Sequence, residues 1–413
     1  MLSLLTLTSV LFFILFLFLL FIFLVFLVSF FRRPSYPPFE PNVSIVIPAY
    51  NEAGHIRDCL ASVLASAYPK KKMEVIVVDD GSTDSTREIV KRFPAVKLIS
   101  SNHGGKTEAL NAGTREAKHP FILTLDADTI VDGQCMKRLV RPLSDASIAA
   151  TTGSSKVRDP DSVLDYFQNI EYHYNNLIRR SFSDTFSTGV WFFGALACYR
   201  KDVLKKIGLF KKDTLTEDMD ISLEIHRAGF RTVHVYDAFC FTIVPKTLKE
   251  LYSQRSRWWM GVLQALRKNK ALFSKKMPPS IFFLYLNQYW WSIYAFLSFP
   301  VIIYQILYWL PYNQDTLFHL TRYLFNWFTL AGPFYVLYKI PEWGFTFNNA
   351  FGVLSGIISA IMILASILMF KDKYSFKNLL ALFFYFPYTI VLNTVIVLSL
   401  LAFGFRKERY FIR

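Results

Sequence analysis

The sequence predicts an α/β domain with a mostly parallel sheet, set between apolar segments at the two ends of the chain. Between residues 43 and 128, apolar strand-like runs alternate with amphipathic helical segments, which is typical of β–α–β units. Residues 1–31 contain no charged side chain, and the chain is again mostly apolar beyond Lys276. Hydrophobic residues make up 53% and aromatic residues 17% of the 413 residues, which exceeds the apolar content of an ordinary soluble enzyme.

The segment 1–31 is predicted to be a retained membrane anchor. Its apolar length exceeds the roughly 20 residues that cross a bilayer. A cleaved signal peptide would have a shorter apolar core, a basic region before it and small residues at a cleavage site. Arg32 and Arg33 follow the anchor, so the positive-inside rule places the next domain in the cytoplasm, on a protein of the plasma membrane. The proline-rich residues 32–42 are predicted to be a stiff linker.

The net charge of +15 does not indicate a nucleic-acid partner. The basic residues are scattered, and no nucleic-acid-binding module is visible. Anionic lipid headgroups and an anionic sugar nucleotide are the partners that this charge favours. Four cysteines lack paired metal-ligand spacing and are predicted to be reduced and buried, namely Cys59, Cys135, Cys198 and Cys240.

The α/β domain is predicted to span residues 43–276. Its expected central strand is Phe121–Leu125, a short and mostly apolar run. An amphipathic helix is expected over Val163–Ile178, and an apolar, glycine-containing loop or hairpin over Ser187–Tyr199. A further helix, expected to begin at Thr247, is predicted to lie at the membrane interface within residues 247–276. The strands expected before the central one are Val43–Pro48, Met73–Val78 and Val96–Ile99.

Four further membrane spans are predicted within residues 277–405, namely Ile281–Leu310, Leu317–Ile340, Phe345–Phe370 and Leu379–Phe405. Together with the anchor, they would leave a basic tail, residues 406–413, in the cytoplasm. Pro300 and Pro387 could each divide a segment into an interfacial helix and a shorter span, so the number of spans is open by one or two. Four spans after the anchor would put Lys371, Lys373 and Lys377 on the outer side of the membrane. That location conflicts with the positive-inside rule.

Three acidic pairs end segments of the α/β domain, namely Asp79-Asp80, Asp126 with Asp128, and Glu217-Asp218. Because the carboxyl ends of strands in an open α/β sheet present ligand groups at one edge, these pairs are expected to share a cleft. Neighbouring carboxylates repel and raise one another's pKa, so they gather in one cleft only when a function requires it. Asp126 and Asp128 suit Mg²⁺ or Mn²⁺ held jointly with a substrate diphosphate.

Other residues are expected to complete this chemistry. Lys106, which follows two glycines, and Arg257 would neutralise the diphosphate. Asp218, on its own element, is free to act as a general base on an incoming hydroxyl. Gln254, Arg257 and Trp258 share one helix face, and Trp258 offers a flat surface for a sugar ring.

Each feature also has a purely structural explanation. Asp-Asp-Gly-Ser is a favourable turn, and Thr-Glu-Asp is a favourable helix start. The face that carries Gln254, Arg257 and Trp258 could be a belt at the membrane surface, where Trp and Arg are common. Trp259 is predicted to be such an anchor. The functional interpretation therefore depends on the motifs occurring together.

The ordered set of motifs resembles glycosyltransferase family 2. In chain order the motifs are V-S-I-V-I-P-A-Y-N-E, V-V-D-D-G-S-T-D, G-G-K-x-x-A-L-N-A-G, L-D-A-D-T, T-E-D and Q-x-x-R-W, over about residues 43–268. The similarity is to the membrane-embedded branch that contains hyaluronan, chitin, cellulose and poly-N-acetylglucosamine synthases. It implies a GT-A fold and inversion at the anomeric carbon.

The resemblance also implies a role for each motif residue. Asp128 would hold the metal, and Asp218 would be the catalytic base. The residues that bind the nucleotide or its diphosphate would be Tyr50, Asp79, Asp80, Lys106, Asp126, Gln254 and Arg257. The residues that bind the acceptor would be Phe193, Gly194, Glu217 and Trp258.

These observations favour a processive, inverting glycosyltransferase that elongates a β-linked polysaccharide from a UDP-sugar and guides it across the membrane. The alternative is transfer of one sugar to a membrane lipid such as ceramide, diacylglycerol or a polyprenyl phosphate. A catalytically silent sugar-nucleotide sensor or scaffold is disfavoured, because every expected acidic position is occupied. The sugar, the linkage and any accessory subunit are left open by the sequence.

Overall fold

The computed structural model of the chain describes residues 4–273, 277–309, 321–322, 325–326, 329–370 and 375–405. The predicted basic tail, residues 406–413, lies outside the described residues, and so do residues 317–320, 323–324 and 327–328 of the predicted span Leu317–Ile340.

The described helices alternate with strands up to residue 242 and continue alone after it. They are α1 (Leu4–Ser29), α2 (Ile56–Ala65), α3 (Thr86–Val90), α4 (Lys106–Glu116), α5 (Cys135–Val140), α6 (Val163–Phe186), α7 (Lys201–Lys206), α8 (Glu217–Arg227), α9 (Leu248–Lys268), α10 (Pro279–Trp309), α11 (Gly332–Trp343), α12 (Phe347–Met369), α13 (Phe376–Phe383) and α14 (Tyr385–Phe405). Short 3-10 turns cover Lys70–Lys72, Arg141–Ser144 and Lys270–Leu272.

Eight strands form one mixed sheet in the described part of the chain. The strands are β1 (Val43–Ala49), β2 (Met73–Asp79), β3 (Val96–Ser100), β4 (Phe121–Leu125), β5 (Ile130–Val131), β6 (Ile148–Val157), β7 (Leu196–Arg200) and β8 (Arg231–Thr242), in the order β3-β2-β1-β4-β7-β6-β8-β5. Strands β1 to β4 pair in parallel, as the β–α–β alternation predicts. Strand β7 runs antiparallel to β4 and β6, and β5 runs antiparallel to β8. The predicted α/β class is confirmed, and the sheet is parallel only in its first half and mixed beyond β4.

Strand β4 is the central strand that the sequence predicts. All five of its residues are buried, and it lies between β1 and β7. Ile122 and Leu123 belong to two different hydrophobic clusters, because successive side chains of a strand point to opposite faces of the sheet.

Strand β7 enters the sheet at the edge where β4 ends. Leu196, at the start of β7, pairs with Leu125, at the end of β4. The backbone N–H of Asp126 donates a hydrogen bond to the carbonyl of Ala195 at 3.2 Å. Strand β7 follows α6 in the chain and pairs antiparallel with β4 on one side and β6 on the other. The loop before β7, residues 187–195, therefore lies beside the acidic turn that follows β4.

Three helices in the described parts of the chain are long and apolar enough to cross a membrane. These segments are Ser9–Ser29, Asn349–Met369 and Tyr385–Phe403. The predicted span Ile281–Leu310 forms helix α10, which contains Pro300 and is not one of the three. The predicted span Leu379–Phe405 is divided at Phe384 into the short helix α13 and the long helix α14, close to Pro387.

Helix α12 ends against the α/β domain. Lys156 Nζ donates a hydrogen bond to the carbonyl of Phe370 at 2.5 Å, and Arg180 Nη1 lies 3.7 Å from Met369 Sδ. The chain therefore leaves α12 on the side of the apolar helices where the α/β domain lies. Lys371 and Lys373, at which the count of four spans conflicts with the positive-inside rule, lie outside the described residues.

Helix α6 connects the sheet to the apolar helices. Asn176 Nδ2 donates to the carbonyl of Ser155 in β6 at 2.7 Å. On the side of the anchor, Thr185 Oγ1 donates to the carbonyl of Val25 at 3.2 Å, and the Phe182 ring lies 6.2 Å from that of Phe21. One face of α6 thus contacts the α/β domain while another contacts helices of membrane-spanning length.

Candidate functional site

The candidate site lies at the edge of the sheet where the parallel strands end. Strand β2 ends at Asp79, β4 is followed by Asp126, and the loop before β7 carries Gly194. Helices α4, α8 and α9 supply the remaining side chains. This is the edge at which open α/β sheets bind ligands, as the sequence predicts.

Asp80 organises the turn that begins α4. Its carboxylate accepts hydrogen bonds from the backbone N–H groups of Gly104 at 2.9 Å and Gly105 at 2.8 Å. Gly105 has a φ of 87°, a conformation that favours glycine. The two glycines therefore allow the backbone to wrap around a buried carboxylate and to present Lys106 at the first position of α4.

The carboxylate of Asp79 forms an ion pair within the protein. It accepts from Arg87 Nε at 2.9 Å and Arg87 Nη2 at 2.6 Å, and the side chain is fully buried. The predicted contact of Asp79 with a nucleotide stays a prediction, and the ion pair with Arg87 explains its position without one.

Tyr50 stacks on a residue that sequence reasoning did not assign to the site. The rings of Tyr50 and His103 lie 4.2 Å apart at an interplanar angle of 32°. The His103 ring nitrogen Nδ1 lies 3.1 Å from the Asp80 carbonyl, and Tyr50 remains 44% exposed. The pair forms a flat, accessible surface of the kind on which a nucleobase stacks.

Lys106 joins two of the predicted acidic pairs. Its Nζ lies 2.7 Å from Asp126 Oδ1 and 3.2 Å from Glu217 Oε1. Burial opposes the charge of Lys106, but the carboxylates of Asp126 and Glu217 outweigh burial and raise its pKa. The turn after β4 and the start of α8, which are far apart in the sequence, therefore face one cleft.

Three carboxyl groups, those of Glu52, Asp126 and Asp128, interact with one another in the cleft. Burial, and then the charge of Asp126, raise the pKa of Asp128. Burial, followed by Asp128 and Asp126, raises the pKa of Glu52 to about 7. Glu52 was missed as a site residue, although its position next to Tyr50 and Asn51 in the first motif was a signal for it. Mutual repulsion of this kind favours the binding of a cation.

The described residues contain no group of three or more His, Cys, Asp or Glu side chains arranged to hold a metal ion by themselves. Asp128, with Asp126 and Glu52 near it, nevertheless provides the hard oxygen ligands that Mg²⁺ and Mn²⁺ prefer. Mg²⁺ is commonly bound by one or two carboxylates together with substrate phosphates. The donor set therefore fits a divalent ion that a diphosphate helps to hold.

Asp218 is held by the loop that precedes β7. The backbone N–H of Gly194 donates to Asp218 Oδ2 at 2.9 Å, and that of Met219 donates to Oδ1 at 2.8 Å. Burial, and then the charge of Glu217, raise the pKa of Asp218 to about 6. For Glu217, burial would raise the pKa, but Lys106 and, further down, Arg257 lower it. The two neighbouring carboxyl groups therefore have different pKa values, and Asp218 is the one that can exchange a proton near neutral pH.

Trp258 packs on the α/β domain. It contacts a small hydrophobic cluster formed by Val157, Tyr172 and Val244. The guanidinium of Arg255 lies 4.4 Å from the centre of the Trp258 ring. The adjacent Trp259 donates through Nε1 to Ser292 Oγ of α10 at 3.1 Å, and its predicted role as an anchor at the membrane surface stays a prediction.

Arg255 is a third residue that sequence reasoning missed, after His103 and Glu52. Its guanidinium donates to Glu171 Oε1 at 3.0 Å and to Glu171 Oε2 at 2.9 Å, and it also bonds the side chain of Gln254. Tyr388 of α14 donates to Glu171 Oε2 at 2.5 Å. Arg255 thus connects the tryptophan-bearing helix to α6 and to an apolar helix.

Comparison with known proteins gives relatives along most of the α/β domain. A family model described as "Glycosyltransferase like family 2" matches residues 41–261, more than half of the chain. A poly-beta-1,6-N-acetyl-D-glucosamine synthase of Staphylococcus epidermidis is 31% identical over 276 residues, which cover 64% of this chain and 66% of that protein. The synthase of Staphylococcus aureus strain MW2 is 31% identical over 245 residues, which cover 57% of this chain and 58% of that protein. The match thus spans less than two thirds of the length of these relatives.

A solved structure extends the similarity of fold to nearly the whole chain. It is a mannosyltransferase from Pyrobaculum calidifontis in complex with GDP-Man and Mn²⁺, with a TM-score of 0.62 and 20% identity. The superposition covers 97% of this chain and 100% of that one, and it confirms the predicted GT-A-like architecture with apolar helices at both ends. From the family match and from the convergence of the motif residues on one cleft, we conclude that the chain belongs to glycosyltransferase family 2.

Proposed function

We propose that the protein is an inverting, divalent-metal-dependent glycosyltransferase that adds sugars from a UDP-sugar to a growing β-linked polysaccharide. The observation that carries the proposal is the bridge from Lys106 to Asp126 and Glu217, because it unites the acidic turn after β4 with the start of α8. The similarity to poly-beta-1,6-N-acetyl-D-glucosamine synthases favours an N-acetylglucosamine donor and a polysaccharide product.

On the donor side, Tyr50 and His103 would receive the nucleobase. Asp128 would hold a Mg²⁺ or Mn²⁺ ion, which supplies positive charge to the diphosphate as the bond to the sugar breaks. Lys106 and Arg257 would complete the neutralisation of the leaving nucleoside diphosphate.

On the acceptor side, Asp218 would remove the proton from the attacking hydroxyl. The hydroxyl oxygen forms the new bond to the anomeric carbon while the bond from that carbon to the diphosphate breaks, and UDP leaves. A base with a pKa near 6 is ionised at neutral pH and is basic enough to accept the proton as it develops. Trp258, Phe193 and Gly194 would place the acceptor in line with this base.

The domain arrangement that we propose follows the predicted one. Residues 1–31 form the anchor, residues 43–276 the cytoplasmic catalytic domain and residues 277–405 a multi-pass membrane region. The contacts that α6 makes with the anchor and that α9 makes with α14 support this arrangement, because they put the acceptor side of the cleft beside helices of membrane-spanning length. The product would leave the cleft next to the membrane that it has to cross.

A panel of UDP-sugars tests the proposal on the purified full-length protein. UDP release with Mg²⁺ or Mn²⁺, together with a polymer in the aqueous phase, is the expected result, and mass analysis would identify the sugar. A glycolipid carrying one sugar in the organic phase would instead support the lipid-acceptor alternative, which the closeness of α6 to the apolar helices also permits. Nucleotide binding without UDP release would contradict an enzymatic function.

A further inference from the structure

Arg179 has no charged partner among the described residues. It lies on α6 and is partly buried. Its Nε is buried without a hydrogen-bond partner, and its Nη1 reaches only Asn176 Oδ1, at 3.4 Å. The next residue, Arg180, differs in this respect because it pairs with Asp184 at 3.3 Å. Arg179 therefore retains a positive charge that no carboxylate of the described chain neutralises by contact.

The guanidinium of Arg179 faces the acceptor side of the cleft. It lies 5.3 Å from the centre of the Phe193 ring, and the residue after Phe193 is the glycine whose N–H holds Asp218. Burial lowers the pKa of Arg179 to about 10, while the charges of Tyr172 and Asp218 act in the opposite direction. Arg179 is thus within electrostatic range of the proposed base. Tyr172, two turns earlier on α6, packs with Trp258.

A guanidinium whose Nε is buried without a hydrogen-bond partner is costly, and binding of a ligand would remove that cost. Its planar fork of N–H donors suits oxygen acceptors. Phe193 and Trp258 provide flat apolar surfaces nearby, which suit the ring of a sugar. Asp218 places negative charge within electrostatic range of this position, so a neutral sugar fits better here than a phosphate, which that carboxylate would repel.

We propose that Arg179 binds the terminal sugar of a saccharide acceptor by donating hydrogen bonds to its oxygens, beside the hydroxyl that Asp218 deprotonates. This inference rests on the proposed function and specifies its acceptor as a carbohydrate chain. Arg179 is accordingly a specificity residue that contacts the acceptor and leaves donor binding to other side chains.

The test compares Arg179→Gln and Arg179→Lys in the full-length protein in lipid nanodiscs. Arg115→Gln, at an exposed arginine near the end of α4, is the matched control. UDP binding and the slow release of UDP from UDP-N-acetylglucosamine without acceptor report on the donor side. Titration with a β-1,6-linked N-acetylglucosamine tetrasaccharide reports on the acceptor side, and vesicles containing a polyprenyl phosphate provide the competing acceptor.

We expect Arg179→Gln to raise the KM for the tetrasaccharide about 10- to 100-fold, the effect of losing a hydrogen bond from a charged donor. UDP binding should stay within about twofold of the wild type, and Arg179→Lys, which keeps the charge without the planar fork, should be intermediate. An unchanged KM for the tetrasaccharide would overturn the inference. An equal loss of UDP binding would also overturn it, since that result indicates a structural role.

Two further results separate this inference from the proposed function. If the wild type releases no UDP from any UDP-sugar, the proposed function fails, and direct calorimetric binding of the tetrasaccharide to the wild type and to Arg179→Gln still tests the role of Arg179. A second result would be Arg179-dependent transfer of sugar to the polyprenyl phosphate with no transfer to the tetrasaccharide. In that case the acceptor is a lipid phosphate and the inference is wrong.

Discussion

The backbone N–H of Gly194 donates a hydrogen bond of 2.9 Å to Asp218 Oδ2. This contact joins the loop before β7 to the first turn of α8, and it orients the carboxylate that we propose as the base. The loop is in turn held by Thr152 of β6, whose hydroxyl donates to the carbonyl of Phe193 at 2.7 Å. The acceptor-side loop and the base therefore form one unit.

The first prediction concerns the space at Gly194. A Cβ at this position would lie 2.5 Å from the Cβ of Asp218, a distance at which one of the two must move. Gly194→Ala should therefore lower kcat/KM about 100-fold, the usual effect of displacing a reacting group by about 1 Å. Steady-state kinetics of the variant and the wild type would measure this decrease in kcat/KM. Gly189→Ala is the control in the same loop, because its nearest neighbour would lie 3.5 Å away. Equal activities of the two variants would contradict the role given to this contact.

The second prediction concerns the base itself. Asp218→Asn preserves the shape of the side chain but cannot accept a proton, so turnover should fall about 10²- to 10⁴-fold. UDP binding, measured by calorimetry, should be retained. Asp213→Asn is the control, since Asp213 is a more exposed carboxylate that pairs with Lys268. Full turnover of Asp218→Asn would refute the assigned base.

The third prediction is the dependence of activity on pH. Since Asp218 must be ionised and its pKa is raised to about 6, kcat/KM should increase with pH up to about 6 and then level off. At pH 5 about one tenth of the groups would be ionised, and activity should fall in proportion. The residual activity of Asp218→Asn should lack this step. A wild-type kcat/KM that does not change between pH 5 and pH 7 would contradict the prediction that Asp218 must be ionised for activity.

The fourth prediction concerns the metal. Chelation should abolish turnover, and Mg²⁺ or Mn²⁺ should restore it. Asp128→Asn should raise the metal concentration for half-maximal activity by at least about 10-fold, because even residues behind the ligands change metal affinity by about 10- to 100-fold. Asp202→Asn, at an exposed residue of α7, should behave as the wild type. Undiminished turnover in the chelated enzyme would contradict metal dependence.

The fifth prediction concerns the ion pair beneath Trp258. Arg255 and Glu171 side chains are only 8% and 12% exposed, so removing one leaves a buried charge without its partner. Arg255→Gln should lower the free energy of unfolding by about 3–5 kcal/mol, measured by thermal or chemical denaturation. Lys97→Gln, which breaks an exposed pair with Glu116, should change it by no more than about 1 kcal/mol. A double variant with Glu171→Gln should recover part of the loss.

Local patterns predicted the elements that carry the chemistry. Strand β4 and the acidic turn after it are encoded by an apolar run followed by Asp126 and Asp128. The predicted start of α9 at Thr247 is confirmed, and the structure shows a capping box there between Thr247 and Glu250. Such features depend on residues close together in the chain.

Residues brought in by packing were not predictable in this way. Glu52 joins the acidic cluster, and His103 stacks on Tyr50, only because neighbouring segments of the folded chain meet there. Arg255, rather than Arg257, forms the buried ion pair of α9, and this choice depends on which face of the helix turns towards α6.

The sequence by itself determined the order of strands and helices, the apolar ends and the acidic turn, because periodicity, charge and turn chemistry are local properties of the chain. Only the tertiary structure decided that β7 runs antiparallel, that Gly194 holds Asp218 and that Arg179, which has no charged partner among the described residues, lies beside Phe193. These relationships arise where segments distant in the chain compete to bury apolar surface and to satisfy polar groups, and no single stretch of sequence contains that balance.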